Sequence, residues 1–142
     1  FDAASVAYGA RVAMGDVDGD LGDEIIVAKG EGAVNNTEVK VFERDGTPVT
    51  GANFVAFSSL YRHGARVAAA DLDGDGRDEI VVGTSDTRPL VRVFSYDGVG
   101  VLDTGVIFNP FPAESASGNY GVNLAAADLD GDGADELITT LA

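Results

Sequence analysis

One nine-residue acidic string occurs three times in this chain, and its spacing decides what the rest can fold into. It reads Asp16-Val17-Asp18-Gly19-Asp20-Leu21-Gly22-Asp23-Glu24, then Asp71-Leu72-Asp73-Gly74-Asp75-Gly76-Arg77-Asp78-Glu79, then Asp128-Leu129-Asp130-Gly131-Asp132-Gly133-Ala134-Asp135-Glu136. Asp16 and Asp71 are 55 positions apart, and Asp71 and Asp128 are 57 apart. The flanks repeat with the same period. Gly9-Ala10-Arg11-Val12-Ala13, Gly64-Ala65-Arg66-Val67-Ala68 and Gly121-Val122-Asn123-Leu124-Ala125 lead into the three strings, each after Tyr8, His63 or Tyr120. Val39-Lys40-Val41-Phe42 matches Val91-Arg92-Val93-Phe94, and Asp45-Gly46 and Asp97-Gly98 follow as hairpin-turn pairs. Phe1, Phe57 and Phe111 close successive units, and the stretches 31–37 and 112–118 lengthen individual loops.

A period near 55 residues, with no helical periodicity, is the length of a four-stranded propeller blade. Each unit reads as an Ala-rich strand, the acidic loop, a β-branched strand such as Glu79-Ile80-Val81-Val82, a third strand ending at Asp-Gly, and a fourth ending near Phe. Small residues crowd the first strand, as blades tapering toward a central axis require; this difference between strands argues against a β-sandwich of hairpins. The expected fold is therefore all-β, with blades of four antiparallel strands and about two and a half blades present. The expected units are 1–60, 61–117 and 118–142, the last a half blade. A half blade leaves a bare strand edge at Glu136-Leu137-Ile138-Thr139. We therefore expect the remaining blades of a longer chain, or self-association, to complete it; the chain begins with Phe rather than Met, as an excised or processed segment would.

Each string holds five carboxylates, so 15 of the chain's 24 acidic residues sit in 27 positions. Such density calls for a counter-charge. A hard cation that takes six to eight oxygens in irregular geometry fits, which points to Ca²⁺, up to three ions, over the stricter octahedra of Mg²⁺. Asp16, Asp18 and Asp20, Asp71, Asp73 and Asp75, and Asp128, Asp130 and Asp132 supply carboxylates at loop positions 1, 3 and 5. Backbone carbonyls of Gly22, Arg77 and Ala134 at position 7, and the carboxylates of Glu24, Glu79 and Glu136 at position 9, complete the expected ligand sets. Position 8 reads as solvent-facing or supporting. An EF-hand would need a bidentate Glu at position 12, where this chain has Val27, Val82 and Thr139. In the first loop Leu21 replaces a glycine, and Gly22 is expected to shift the turn by one residue and weaken binding.

The order aromatic-Gly, apolar strand, DxDGDGxxE and a strand like Glu79-Ile80-Val81-Val82-Gly83 resembles the FG-GAP repeat of integrin alpha-type propellers and their bacterial relatives, over essentially the whole chain. Departures are Glu at position 9, where Asp is commoner in integrins, and Leu21. The resemblance implies a calcium loop between the first two strands of each blade and an extracellular or cell-surface location. It implies an adhesion or interaction module whose protein or glycan ligand is unknown. A non-catalytic carbohydrate-binding or scaffold portion of a larger secreted enzyme is the second expectation.

The formal charge of −15 sets nucleic acid and anionic membranes aside as partners, since phosphate binding needs a cationic surface. No apolar run approaches the roughly 20 residues of a membrane span, and no signal-peptide pattern opens the chain. The chain has no cysteine, so thiolate chemistry is absent. His63, the one histidine, stands at an aromatic position of the repeat and has no nucleophile–acid relay around it in sequence, so no catalytic residue is expected. Arg11 and Arg66 share one strand position and suit carboxylate pairing. Met14 reads as core filler, and Asn35-Asn36-Thr37 is a glycosylation triplet in an expected loop.

Overall fold

The computed structural model describes residues 9–113, 118 and 120–142. The expected roles of Phe1 and Tyr8 lie outside the described residues, as does the middle of the 112–118 loop.

The described residues form ten strands and no helix. The first sheet has the order β1 (Ala10–Gly15), β2 (Glu24–Lys29), β3 (Glu38–Phe42), β4 (Phe54–Val55). The second runs β5 (Ala65–Ala70), β6 (Glu79–Thr84), β7 (Val91–Tyr96), β8 (Val101–Phe108). β9 (Val122–Ala127) and β10 (Glu136–Leu141) make a two-stranded third sheet. All pairings are antiparallel meanders, and the first hairpins repeat in register: Gly15 faces Glu24, Ala70 faces Glu79, and Ala127 faces Glu136. This is the blade architecture expected, with strands in the proportion four, four and two. Gly46 and Gly98 take the left-handed conformation, φ 86° and 85°, that the Asp-Gly turns demand.

Period-2 alternation explains how the sheets stack. Ala65 and Val67 face the first blade, in a core with Ile26, Ala28, Val39 and Val41. Ala68 and Ala70, one residue out of phase, face the third blade, together with Val81, Val91 and Val122. β6 is therefore buried on both faces and carries β-branched residues at four of its six positions, whereas β9 and β10 are covered on one face only. The first strands of the three blades lie side by side across the seams, where small side chains let the backbones approach. Burying one Val or Ile contributes about 1.5–3 kcal/mol, so the seams dominate the stability of the stack.

The outer strand of the first blade departs from expectation. Only two residues of it pair, and one isolated bridge joins Phe42 to Pro48. The intervening segment is used otherwise. Gly51, at φ 73°, turns it toward the second blade, where the Gly51 carbonyl accepts from the Val101 N–H at 3.3 Å and the Thr50 carbonyl from the Tyr96 hydroxyl at 2.7 Å. Strand pairing has been exchanged for contact across the seam.

Three single residues gain definite roles. Arg11 and Arg66 share the Glu31 carboxylate, and Arg66 also donates to the Asn123 side chain at 2.7 Å, so these cations tie three blades together. Asn35 is 4% exposed and donates to the Gly30 carbonyl at 2.8 Å, while Thr37 bonds to the Phe57 backbone. In the folded chain the glycosylation triplet is thus a structural clasp of a loop. His63 takes a left-handed φ of 75°, with Nδ1 3.7 Å from the Asp86 carboxylate, at the entry to the second blade. Met14 is 57% exposed on the open face of the first blade, so it does not fill a core here.

Candidate metal centre

The three acidic strings are the β1–β2, β5–β6 and β9–β10 turns, and all three use the same hydrogen bonds. The carboxylate at position 1 accepts from backbone N–H groups of positions 4 and 6: Gly19 and Leu21 on Asp16, Gly74 and Gly76 on Asp71, Gly131 and Gly133 on Asp128, at 2.7–3.1 Å. The carboxylate at position 3 accepts from the N–H of position 5 at 3.1 Å in each loop. The glutamate at position 9 reaches back to the N–H of position 2, at 2.9–3.0 Å, from Glu24 to Val17, Glu79 to Leu72 and Glu136 to Leu129. These bonds wind the chain into a closed loop and aim three carboxylates at one point.

Asp16, Asp18 and Glu24 each offer an oxygen within 4.8 Å of the others, as do Asp71, Asp73 and Glu79, and Asp128, Asp130 and Glu136. Two oxygens on one calcium ion at about 2.3–2.6 Å can be no farther apart than twice that distance. The sets are all-oxygen and anionic, and a carboxylate has about four acceptor sites, so each retains lone pairs beyond its backbone bonds. The residues present fit a calcium ion.

The position-5 carboxylates stand outside these groups. Asp20, Asp75 and Asp132 each use one oxygen to accept the N–H of position 7, from Gly22, Arg77 and Ala134, at 2.8–2.9 Å. Among the described residues the structure therefore brings together positions 1, 3 and 9.

One expectation about these loops is corrected. Gly22 does not shift the turn of the first loop. Leu21 itself adopts φ 73°, matching 85° at Gly76 and 96° at Gly133, and its N–H makes the same bond to Asp16. A left-handed β-carbon costs about 1–2 kcal/mol, and Leu21 is 91% exposed, so it recovers nothing by packing. Leu21→Gly is expected to raise stability by about 1 kcal/mol, read as a shift of the urea midpoint without a change in slope.

Position 8, expected to face solvent or support the loop, joins adjacent loops in two of the three cases. Asp78 accepts from the Asp16 N–H at 2.8 Å through its side chain and donates its own N–H to the Asp16 carbonyl at 2.7 Å. Asp135 does the same to Asp71, at 3.2 and 2.6 Å. Asp23 is exposed, as expected. The sequence held a signal, an acid at position 8 in every copy, but its partner lies 62 residues away for Asp78 and 64 for Asp135.

Electrostatics follow from burial. Glu24 is 1% and Glu79 8% exposed. Loss of water raises both carboxyls from 4.5 to about 7, the Val17 and Leu72 N–H groups oppose the rise, and the other acids of each loop add to it. Asp78 is also pushed up, first by burial. Glu43, beside the first loop, rises through desolvation and then Asp18 and Asp20. Arg44 and Glu43 join Asp20, Leu21, Gly22 and Glu24 around an open recess of about 470 Å³.

Antiparallel sheets stacked face to face, each opening with an acid-loop hairpin, define a propeller-type repeat protein. The FG-GAP-like repeat model matches residues 16–82 and again 71–139, and the chain belongs to that family. Among solved structures, the crystal structure of the exotype rhamnogalacturonan lyase YesX is similar, with TM-score 0.62 and 19% identity over 94% of this chain. The likeness is one of fold, and it spans 28% of the lyase chain. Comparison with curated proteins finds no match.

Proposed function

We propose that this chain is a calcium-stabilised, non-catalytic interaction module that works outside the cell. What carries the reading is the triple recurrence of one donor set, three carboxylates within 4.8 Å, on the same hairpin of each blade. Bound there, calcium supplies the positive charge that lets the acids of each turn stay close. The protein's part is to wind the loop, to bury the closing glutamate in the first two loops, and to present the oxygens. Ligand recognition then falls to the loops at the opposite ends of the blades. His63 stands at the entry to the second blade, beside Asp86. No helix among the described residues is long and apolar enough to cross a membrane.

With calcium near a millimolar and a dissociation constant near 10⁻⁴ M, each site adds about 1–2 kcal/mol by mass action. Thermal melts should therefore show a large fall in Tm with EGTA, recovered by excess calcium and not by magnesium. An unchanged Tm would remove calcium from the account.

A second reading is a carbohydrate-binding or scaffold portion of a larger secreted enzyme. It draws on the fold shared with part of a rhamnogalacturonan lyase. Binding on a glycan array that includes pectic fragments would favour it over a protein-adhesion role. In either reading the open faces take further blades, from a longer chain or from further copies. Val12, 59% exposed where its counterpart Val67 is 9% exposed, marks one such face, and Ile138, 42% exposed, marks the other. Sedimentation of this chain distinguishes the two sources, since only further copies make its mass depend on concentration.

A further inference from the structure

The three loops do not stand alone. Asp16 carries the first carboxylate of its loop, and both peptide groups flanking its α-carbon are held by Asp78 of the next loop, the N–H by the side chain at 2.8 Å and the carbonyl by the backbone N–H at 2.7 Å. Asp78 is joined directly to Glu79, which closes the carboxylate set of its own loop. The same bracket links Asp135, next to Glu136, to Asp71. Arg77 strengthens the junction: its side chain lies so close over Gly19 that a β-carbon there would be 2.7 Å from the guanidinium Nε.

We propose that Asp78 and Asp135 are positioning residues that couple the acidic loops, so that a cation closing one loop raises the affinity of the loop on the preceding blade. This rests on the calcium reading above. Without a counter-ion, five acids repel one another in each turn. When an ion draws in Glu79, it also fixes residue 78, and residue 78 fixes the peptides on both sides of Asp16. The first loop then starts closer to its bound geometry, with part of its ordering cost already met. Order in the third loop reaches the second in the same way through Asp135. Linkage makes each coupling reciprocal.

Amide NMR on the full chain, stripped with chelator and titrated with calcium chloride, reads each loop separately. Gly19 and Leu21 report the first loop, Gly74 and Gly76 the second, Gly131 and Gly133 the third. Asp73→Ala disables the second loop while leaving the bracket intact. It is expected to weaken the first loop by about fivefold or more. In a chain that already carries Asp78→Ala the further loss should be no more than about twofold. Asp78→Asn, whose amide oxygen still accepts from the Asp16 N–H, should retain the coupling, which separates positioning from charge. Asp23→Ala, at the same position on the first blade but without a bracketing bond among the described residues, should leave the second and third midpoints in place. A first-loop midpoint that ignores Asp73→Ala, while all three loops respond to calcium, overturns the coupling and leaves the calcium reading standing. Silence of all three loops at about 10 mM calcium overturns both. Should Asp78→Ala fail to fold, the Asp73→Ala and Asp78→Asn arms still decide the question.

Discussion

Gly64→Ala is expected to destabilise the chain by about 3 kcal/mol. Gly64 sits at φ 79°, and a β-carbon there would collide with the carbonyls of Lys29 and Gly30 on the neighbouring blade. These are rigid backbone atoms at the end of β2, so nothing can swing aside. The repeat supplies its own controls. Gly9 occupies the same position at φ 77° with nothing within 4 Å, so Gly9→Ala should cost only the backbone strain, about 1 kcal/mol. At Gly121 no left-handed φ is involved, but a β-carbon would meet the Ser85 carbonyl, so Gly121→Ala isolates the collision. Urea unfolding of the three variants checks the order Gly64, Gly121, Gly9. Equal losses at Gly64 and Gly9, with none at Gly121, would mean that backbone strain alone explains the glycine and that the seams are not closely packed.

A second large effect concerns pH. Glu24 and Glu79 have folded-state values of about 7 against an ordinary 4.5. Between those values the metal-free folded chain holds protons that the unfolded chain has released. Stability without calcium must therefore fall as pH rises from about 4.5 to about 7, then level off. Calcium needs the ionised carboxylates, so its affinity should climb through the same window, and binding near pH 6 should expel protons. The gap in Tm between calcium-loaded and EGTA-treated chain is expected to widen from pH 5 to about pH 7 and then to level off. Melts in matched buffers check this, and a gap independent of pH would place the ion away from these two glutamates.

What could be read from the sequence was local. Nine contiguous residues contain each carboxylate set, and the turn that folds them is closed by hydrogen bonds over two to seven positions. Asp45-Gly46 and Asp97-Gly98 likewise carry their turn geometry in two residues. The Ala-rich run of β5 and the β-branched run of β6 marked strands, and the repeat showed how many. The seams were harder to see. Asp78 looks like any exposed acid until a second blade brings Asp16 beside it, and Gly64 looks like a turn glycine until the end of β2 closes over it. Leu21 misled for a different reason: local propensity favours Gly22 for the left-handed residue, but the bond from the Leu21 N–H to Asp16 fixes the register and overrides it. Short pairing at β4 escaped notice because its cause, the turn of Gly51 toward Val101, lies in the next blade.

Isothermal titration of the chelator-stripped chain with calcium chloride at pH 7.5 goes most directly to whether these acid-lined turns are ion sites. Heat that saturates at about three ions per chain, and is lost for one ion when Asp130→Ala removes the third loop's donor, is the expected result. A flat titration at the same concentrations would contradict it and leave the three turns as hydrogen-bonded hairpins.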